Sequence, residues 1–301
     1  MIGSGFLVPT KTSGYINAID VQSGDVYQVS PYLEEWFYHR VRFMDVDGDG
    51  LQDIITSRAT KPTFGSGQGE LVWLKQPSSN TFDNPWTLTH LYGGPDFLFD
   101  LIDVNGDGYY EVAAAEFFGL QLTLTYSTKG NFSDPTTLKQ VVIDANLKAG
   151  FDVHVLDVNG DGKKDLVATN HLGDGTGAVY AYEVPPNWQE GNWPRHVLAS
   201  GFPVTEPGYG QAAPGAAIPF YPKTSTTSGR AWIILSGDGS QCAYELRPRS
   251  ATGWDYSMTT IVNTAATVGQ PTVADVNGDG WAEVFLSAYD TGIVYVYTYA
   301  P

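Results

Sequence analysis

Short runs of alternating apolar and polar residues recur along nearly the whole chain, without the 3.6-residue period of an amphipathic helix. The clearest set opens near residue 40. Arg40–Met44, Asp53–Ser57, Glu70–Lys75 and Trp86–Leu91 read as four successive strands, A to D, joined by turns rich in Gly, Asp, Asn, Ser and Pro. Later stretches repeat the scheme, with Gln121–Tyr126, Ala178–Glu183 and Gly292–Thr298 as third strands whose two faces differ.

Four acidic segments punctuate these runs: Asp45-Val-Asp-Gly-Asp-Gly-Leu-Gln-Asp53, Asp103-Val-Asn-Gly-Asp-Gly-Tyr-Tyr-Glu111, Asp157-Val-Asn-Gly-Asp-Gly-Lys-Lys-Asp165 and Asp275-Val-Asn-Gly-Asp-Gly-Trp-Ala-Glu283. Each places side-chain oxygens at positions 1, 3 and 5, a glycine at 6 for the sharp turn, a carbonyl at 7 and a carboxylate at 9. The spacing predicts four structural Ca²⁺ sites. Their ligands are Asp45, Asp47, Asp49, Leu51 and Asp53; Asp103, Asn105, Asp107, Tyr109 and Glu111; Asp157, Asn159, Asp161, Lys163 and Asp165; and Asp275, Asn277, Asp279, Trp281 and Glu283. An EF-hand closes at position 12 between helices, whereas these close at 9 between strands. A metal-free acidic turn is the plain alternative, and it needs neither three spaced oxygens nor four copies.

The loops start at 45, 103, 157 and 275, and the last interval, 118 residues, is about twice the others. A degenerate repeat therefore lies between, with Pro222–Gly229 where a loop would be and no metal. A period of 54 to 59 residues without helices implies four-stranded propeller blades. The expected fold is an all-β, single-domain propeller over 1–301, with a partial N-terminal blade at 1–31 and blades at about 36–94, 95–148, 149–207, 208–265 and 266–301. Phe6–Asp20 reads as a hairpin and Asp25–Ser30 as an outer strand of the first piece, while the last blade lacks its fourth strand. Six blades are favoured, with five as the alternative.

The repeated Asp-Val-Asn-Gly-Asp-Gly loops between short strands resemble the FG-GAP/VCBS repeats of integrin-α-type propellers, over nearly the whole chain. That resemblance implies a calcium-binding propeller and leaves its activity open, because such folds serve as adhesion modules, lectins and sugar-acting lyases or dehydratases. The missing loop and the low blade count depart from the family pattern.

Composition narrows the partners. The formal net charge is −17, and even with four bound Ca²⁺ it would stay near −9 by simple addition, which argues against nucleic acid. No apolar run reaches the roughly 20 residues of a membrane span. Cys242 is the single cysteine, so no intrachain disulfide forms. The opening Met1-Ile-Gly-Ser-Gly-Phe6 lacks the charged-then-apolar layout of a signal peptide, as expected of a cytosolic protein or of a chain already trimmed; the sequon Asn131-Phe-Ser133 and calcium loops suited to extracellular calcium favour the secretory route. Oligomeric state is not legible.

Second-strand ends of a propeller converge, so residues at one offset after each loop are candidates for a central site. These are Arg58, Glu116, Asn170, His171 and Tyr289, with Lys11 from the N-terminal hairpin and His39 from a first strand. Trp36, Phe37, Phe97, Phe99, Phe117, Phe118 and Phe151 would wall an aromatic pocket for a small molecule. In a catalytic reading His39, His171 or Tyr289 exchanges a proton and Arg58 or Lys11 steadies an oxyanion, in lyase, dehydratase or cyclase chemistry without a redox cofactor. Propellers of fungal natural-product pathways offer an analogy. A carbohydrate-binding lectin or sugar lyase is the alternative, and a non-catalytic interaction module the second. Each residue also has a plain role: His39 hydrogen-bonding a neighbouring blade, Arg58 pairing with Glu116, His171 serving as a loop residue. His90 and His196, on outer strands, have weaker claims.

Overall fold

The structure, a computed structural model, describes residues 2–3, 13–60, 67–205, 211–226 and 229–301. It divides into two compact units, Met1–Lys148 and Ala149–Pro301. The described residues hold strands and three short 3₁₀ turns, and no α-helix. Among them no helix is long and apolar enough to cross a membrane.

The first unit contains three antiparallel meanders. Strands β1 (Ile2–Gly3), β2 (Ile16–Ile19) and β3 (Val26–Gln28) make a three-stranded sheet. Strands β4 (Trp36–Met44), β5 (Asp53–Thr60), β6 (Gly69–Lys75) and β7 (Thr87–Gly93) make a four-stranded one, as do β8 (Phe99–Ile102), β9 (Glu111–Glu116), β10 (Gln121–Ser127) and β11 (Leu138–Asp144). Strand β1 pairs with Ile16 and Asn17 of β2, and the first half of the expected Phe6–Asp20 hairpin falls on residues that are not described. Residues 4–12, Lys11 included, lie outside the described residues.

The second unit continues with β12 (Gly150–Leu156), β13 (Asp165–Asn170), β14 (Ala178–Glu183) and β15 (Arg195–Ser200), then β16 (Ala217–Phe220), β17 (Trp232–Ser236), β18 (Cys242–Pro248) and β19 (Tyr256–Asn263). It ends in a three-stranded sheet of β20 (Thr272–Ala274), β21 (Glu283–Ala288) and β22 (Ile293–Thr298). Six successive meanders, incomplete at the first and the last, are the blades of a β-propeller. Strands β16 to β19 form where the degenerate repeat is expected.

The inner strands explain the apolar runs. In β5 every residue from Asp53 to Ala59 is buried, because both faces of the sheet are covered. Ile55, Leu71 and Trp73 pack with Phe99 and Val112 of the next sheet and with Phe132 of its β10–β11 connection. Their neighbours Ile54, Val72 and Leu74 point the other way, against Ile16, Val29 and Trp86. The period-2 alternation of a strand thus feeds two cores at once. Ile233 and Leu235 likewise serve one core of the second unit and Ile234 the other.

Leu71→Ala should leave a cavity in a packed interior and cost about 2–5 kcal/mol. Val294→Ala, on the outermost strand of its sheet and 58% exposed, should change stability by about 0.5 kcal/mol or less. Urea titration of the two variants checks this contrast, which equal shifts would contradict.

Candidate functional site

Each acidic loop joins the first strand of a sheet to the second, and all four close in the same way. The Asp45 carboxylate accepts the main-chain N–H groups of Gly48, Asp49 and Gly50 at 2.8, 3.1 and 2.9 Å. Asp103 does the same for Gly106, Asp107 and Gly108, and Asp157 and Asp275 for the two glycines of their loops. Gly48 and Gly50 have φ of +78° and +86°, which L side chains rarely adopt. From the far end, Asp53, Glu111, Asp165 and Glu283 each accept the N–H of the valine at position 2.

The donor set fits a hard cation. Oxygens of Asp45, Asp47 and Asp49 lie within 4.8 Å of one another, and Asp47 Oδ1 is buried with no hydrogen-bond partner. Burial pushes the closing acids Glu111 and Asp165 up to about 7, with their loop aspartates adding repulsion. Asp53 is raised for the same leading reason. A bound divalent ion would supply the charge that these carboxylates lack. The degenerate loop carries no such set. Thr224 instead donates from its hydroxyl to Asp275 (3.1 Å) and from its N–H to the Gly280 carbonyl (2.9 Å), which ties it to the fourth acidic loop.

The first unit also carries a cleft of about 430 Å³, lined by Trp36, Glu70, Asp96, Glu116, Phe118 and the glycines 67, 69, 93, 94 and 119. Asp96 lies in the turn before β8. Its carboxylate accepts the N–H groups of Phe117, Phe118 and Gly119 at 2.6, 2.8 and 2.8 Å. Burial nevertheless pushes its acid up to about 7, with the Glu116 charge contributing. Glu116, at the end of β9, is also raised by burial; it accepts from Thr123 Oγ1 (2.7 Å) and Gln121 Nε2 (2.8 Å). Two glycines make this packing possible. A Cβ on Gly69 would stand 2.2 Å from Asp96 Cβ, and one on Gly119 would stand 2.1 Å from Glu116 Oε2.

Arg58 has a different partner from the expected one. Its Nε donates to Glu70 Oε1 (2.6 Å) rather than to Glu116, its guanidinium lies 4.5 Å from the Trp36 ring, and Glu70 also holds His90 Nδ1 (2.6 Å). His39 donates from Nδ1 to the Asp96 main-chain carbonyl (2.8 Å), and burial lowers its pKa to about 3. It belongs to a chain of rings: Phe37 at 5.2 Å and Phe97 at 4.3 Å from His39, Phe117 at 5.6 Å from Phe97, and Phe118 at 5.3 Å from Phe117. Phe99 is fully buried in the core rather than on a pocket wall.

The remaining candidates belong to the second unit. His171 is buried against Phe151 (4.5 Å), donates from Nδ1 to the Pro214 carbonyl (3.0 Å), and has Nε2 3.8 Å from Asp238 Oδ2. Burial pushes the Asp238 acid up to about 7, helped by Asp290. Asn170 accepts the Ala178 N–H at 2.8 Å, a structural contact. Tyr289 is 80% exposed in the 3₁₀ turn Tyr289–Thr291. Sequence reasoning missed Asp96, Glu70 and Asp238. Asp96 follows Gly93-Gly94-Pro95 and reads as an ordinary turn residue; only its place beside Glu116 sets it apart.

Fold and loops together define a β-propeller whose blades carry acidic A–B loops. Residues 103–168 match the family described as FG-GAP-like repeat, a span that takes in the second and third loops. That span therefore carries an FG-GAP-like repeat. No curated protein matches it in sequence. Among solved structures, the soluble aldose sugar dehydrogenase of Escherichia coli in its apo form is similar at 12% identity with a TM-score of 0.51, over 93% of this chain and 91% of that one. The rhamnogalacturonan lyase PL11 of Bacillus licheniformis is similar at 14% identity with a TM-score of 0.41, over 96% of this chain, which spans 60% of the lyase. At these identities the likeness to the dehydrogenase bears on fold alone.

Proposed function

We propose that the cleft of the first unit binds an uncharged, hydroxylated small molecule and moves a proton on it, in an elimination, dehydration or cyclisation. The observation that carries this reading is Asp96: a buried carboxyl facing a cleft, pushed up to about 7 by its burial, beside a second raised carboxyl, Glu116. An acid with a pKa near 7 is half protonated at neutral pH and serves well in either direction of transfer. Trp36 and Phe118 would orient the apolar face of the ligand, and the carboxyls its hydroxyl groups. Among the described lining residues there is no lysine or arginine, and the nearby Arg58 charge is taken up by Glu70. The acidic lining, Glu70, Asp96 and Glu116, disfavours phosphorylated or carboxylate ligands.

In a dehydration, the Glu116 carboxylate takes the proton next to the forming double bond while protonated Asp96 gives one to the departing hydroxyl, so that water leaves. One proton then passes back from Glu116 to Asp96 through solvent. His39, uncharged and a weak base at neutral pH, would hold the Asp96 backbone rather than exchange protons. Calcium in the acidic loops, held by the residues named above, would be structural and supply no step.

The test uses panels of neutral polyols and sugars and of their phosphorylated or carboxylated counterparts, read by thermal stabilisation and by mass spectrometry for loss of water. Stabilisation by neutral probes, with at least one losing water, is the expected result. Stabilisation confined to the anionic probes would overturn the proposal.

A further inference from the structure

The four acidic loops are alike in sequence but differ in what stands over them. Strand pairing puts four positions in one register: Leu74 opposite Ile54, Thr125 opposite Val112, Tyr182 opposite Leu166, and Tyr297 opposite Val284. The next residue, on the loop side, is Lys75, Tyr126, Glu183 and Thr298 in turn. Only at the first loop does this place carry a positive charge. The Lys75 ammonium contacts Asp47 Oδ2 and lies 3.0 Å from Asp49 Oδ2, so it shares two of the carboxylates that would hold the ion. Its stem lies near the Trp73 ring, with Nζ 5.8 Å from the centroid, and the side chain is part exposed.

We infer that Lys75 is a built-in competitor of calcium at the first loop and makes it the weak, exchangeable site of the four. The inference rests on calcium occupying these loops. A divalent ion held by Asp45, Asp47 and Asp49 would meet a like charge one side chain away. Either Lys75 swings out and gives up two ion pairs, or the ion binds against the repulsion; both lower affinity. The orphaned oxygen, Asp47 Oδ1, remains free to ligate, so the loop is weakened rather than abolished. At the third loop the equivalent residue is Glu183, opposite Asp165 in the strand register, and no lysine stands in that place. A unit charge acting on a divalent ion over several ångströms in a water-like medium changes affinity by about tenfold.

Calcium alone is titrated into the full chain by calorimetry and by equilibrium dialysis, for wild type, Lys75→Met, Lys75→Gln and Lys75→Arg. Wild type should bind three ions tightly and one about tenfold or more weakly. In Lys75→Met and Lys75→Gln the weak site should tighten by about tenfold, while Lys75→Arg should keep it weak. Asp161→Asn, in the third loop, should instead remove a tight site. Four equal affinities in wild type, or a weak site that Lys75→Met leaves unchanged or weakens further, would overturn the inference. No calcium uptake by any of the proteins would overturn the metal reading and this inference with it, whereas uptake without a Lys75 effect would overturn this inference alone.

Discussion

Chelating calcium should lower the melting temperature by about 10–20 °C at neutral pH. A bound ion at 100 times its dissociation constant contributes about 2.7 kcal/mol, and three such loops together roughly 8 kcal/mol. In a chain of this size each kcal/mol moves the melting point by about 2 °C. The physical source of the loss is the buried acid that closes each loop. Glu111 and Asp165 are pushed up to about 7 from ordinary values of 4.5 and 3.8, so without an ion each must either take a proton or remain a buried charge facing other charges.

The sign of the pH dependence follows. Between about pH 4 and pH 7 the folded, calcium-free chain holds more protons at these two groups than the unfolded chain, so their contribution to stability falls as pH rises. Bound calcium reverses it, because protons then compete with the ion. Scanning calorimetry should show a larger calcium-dependent shift at pH 7.5 than at pH 5. A melting point indifferent to chelator at both pH values would remove calcium from the account of this fold.

The second large effect concerns the cleft. Asp96→Asn should reduce turnover of any substrate found by the probe panels by about 10²–10⁴-fold, the usual worth of a positioned acid or base. Asparagine keeps the shape but offers one acceptor oxygen to three N–H donors, so some stability is lost too, roughly 1–3 kcal/mol for a mismatched buried donor. Glu116→Gln separates the two effects. It leaves the Phe117–Gly119 amide cap on Asp96 untouched, and it should lower turnover comparably with little change in melting temperature.

The pH profile carries the same information. With two raised carboxyls acting as a pair, turnover should rise and then fall with pH, with the limb set by Asp96 near pH 7, and each variant should flatten one limb. Turnover that survives both substitutions, or a profile unaltered by either, would place the chemistry elsewhere.

The sequence by itself determined what depends on neighbours along the chain. Oxygens at 1, 3, 5 and 9 around two glycines specify the same tight acidic turn at all four places, and alternation between the loops specifies strands. Interval counting located the degenerate repeat, because the sheet of β16 to β19 had to fill the long gap between Asp157 and Asp275. The tertiary structure decided what depends on which strands pair and on how sheets meet. Arg58 chose Glu70, across the pairing of β5 with β6, over Glu116 on another sheet. Phe99 went into the core, and Asp96 came beside Glu116. Lys75 reached Asp47 across 28 residues of chain. Local spacing fixes a turn or a strand because its hydrogen bonds close within a few residues. A pKa, an ion pair or a cleft is set by burial and by charges that strand pairing and packing bring near, and no period in the sequence records them.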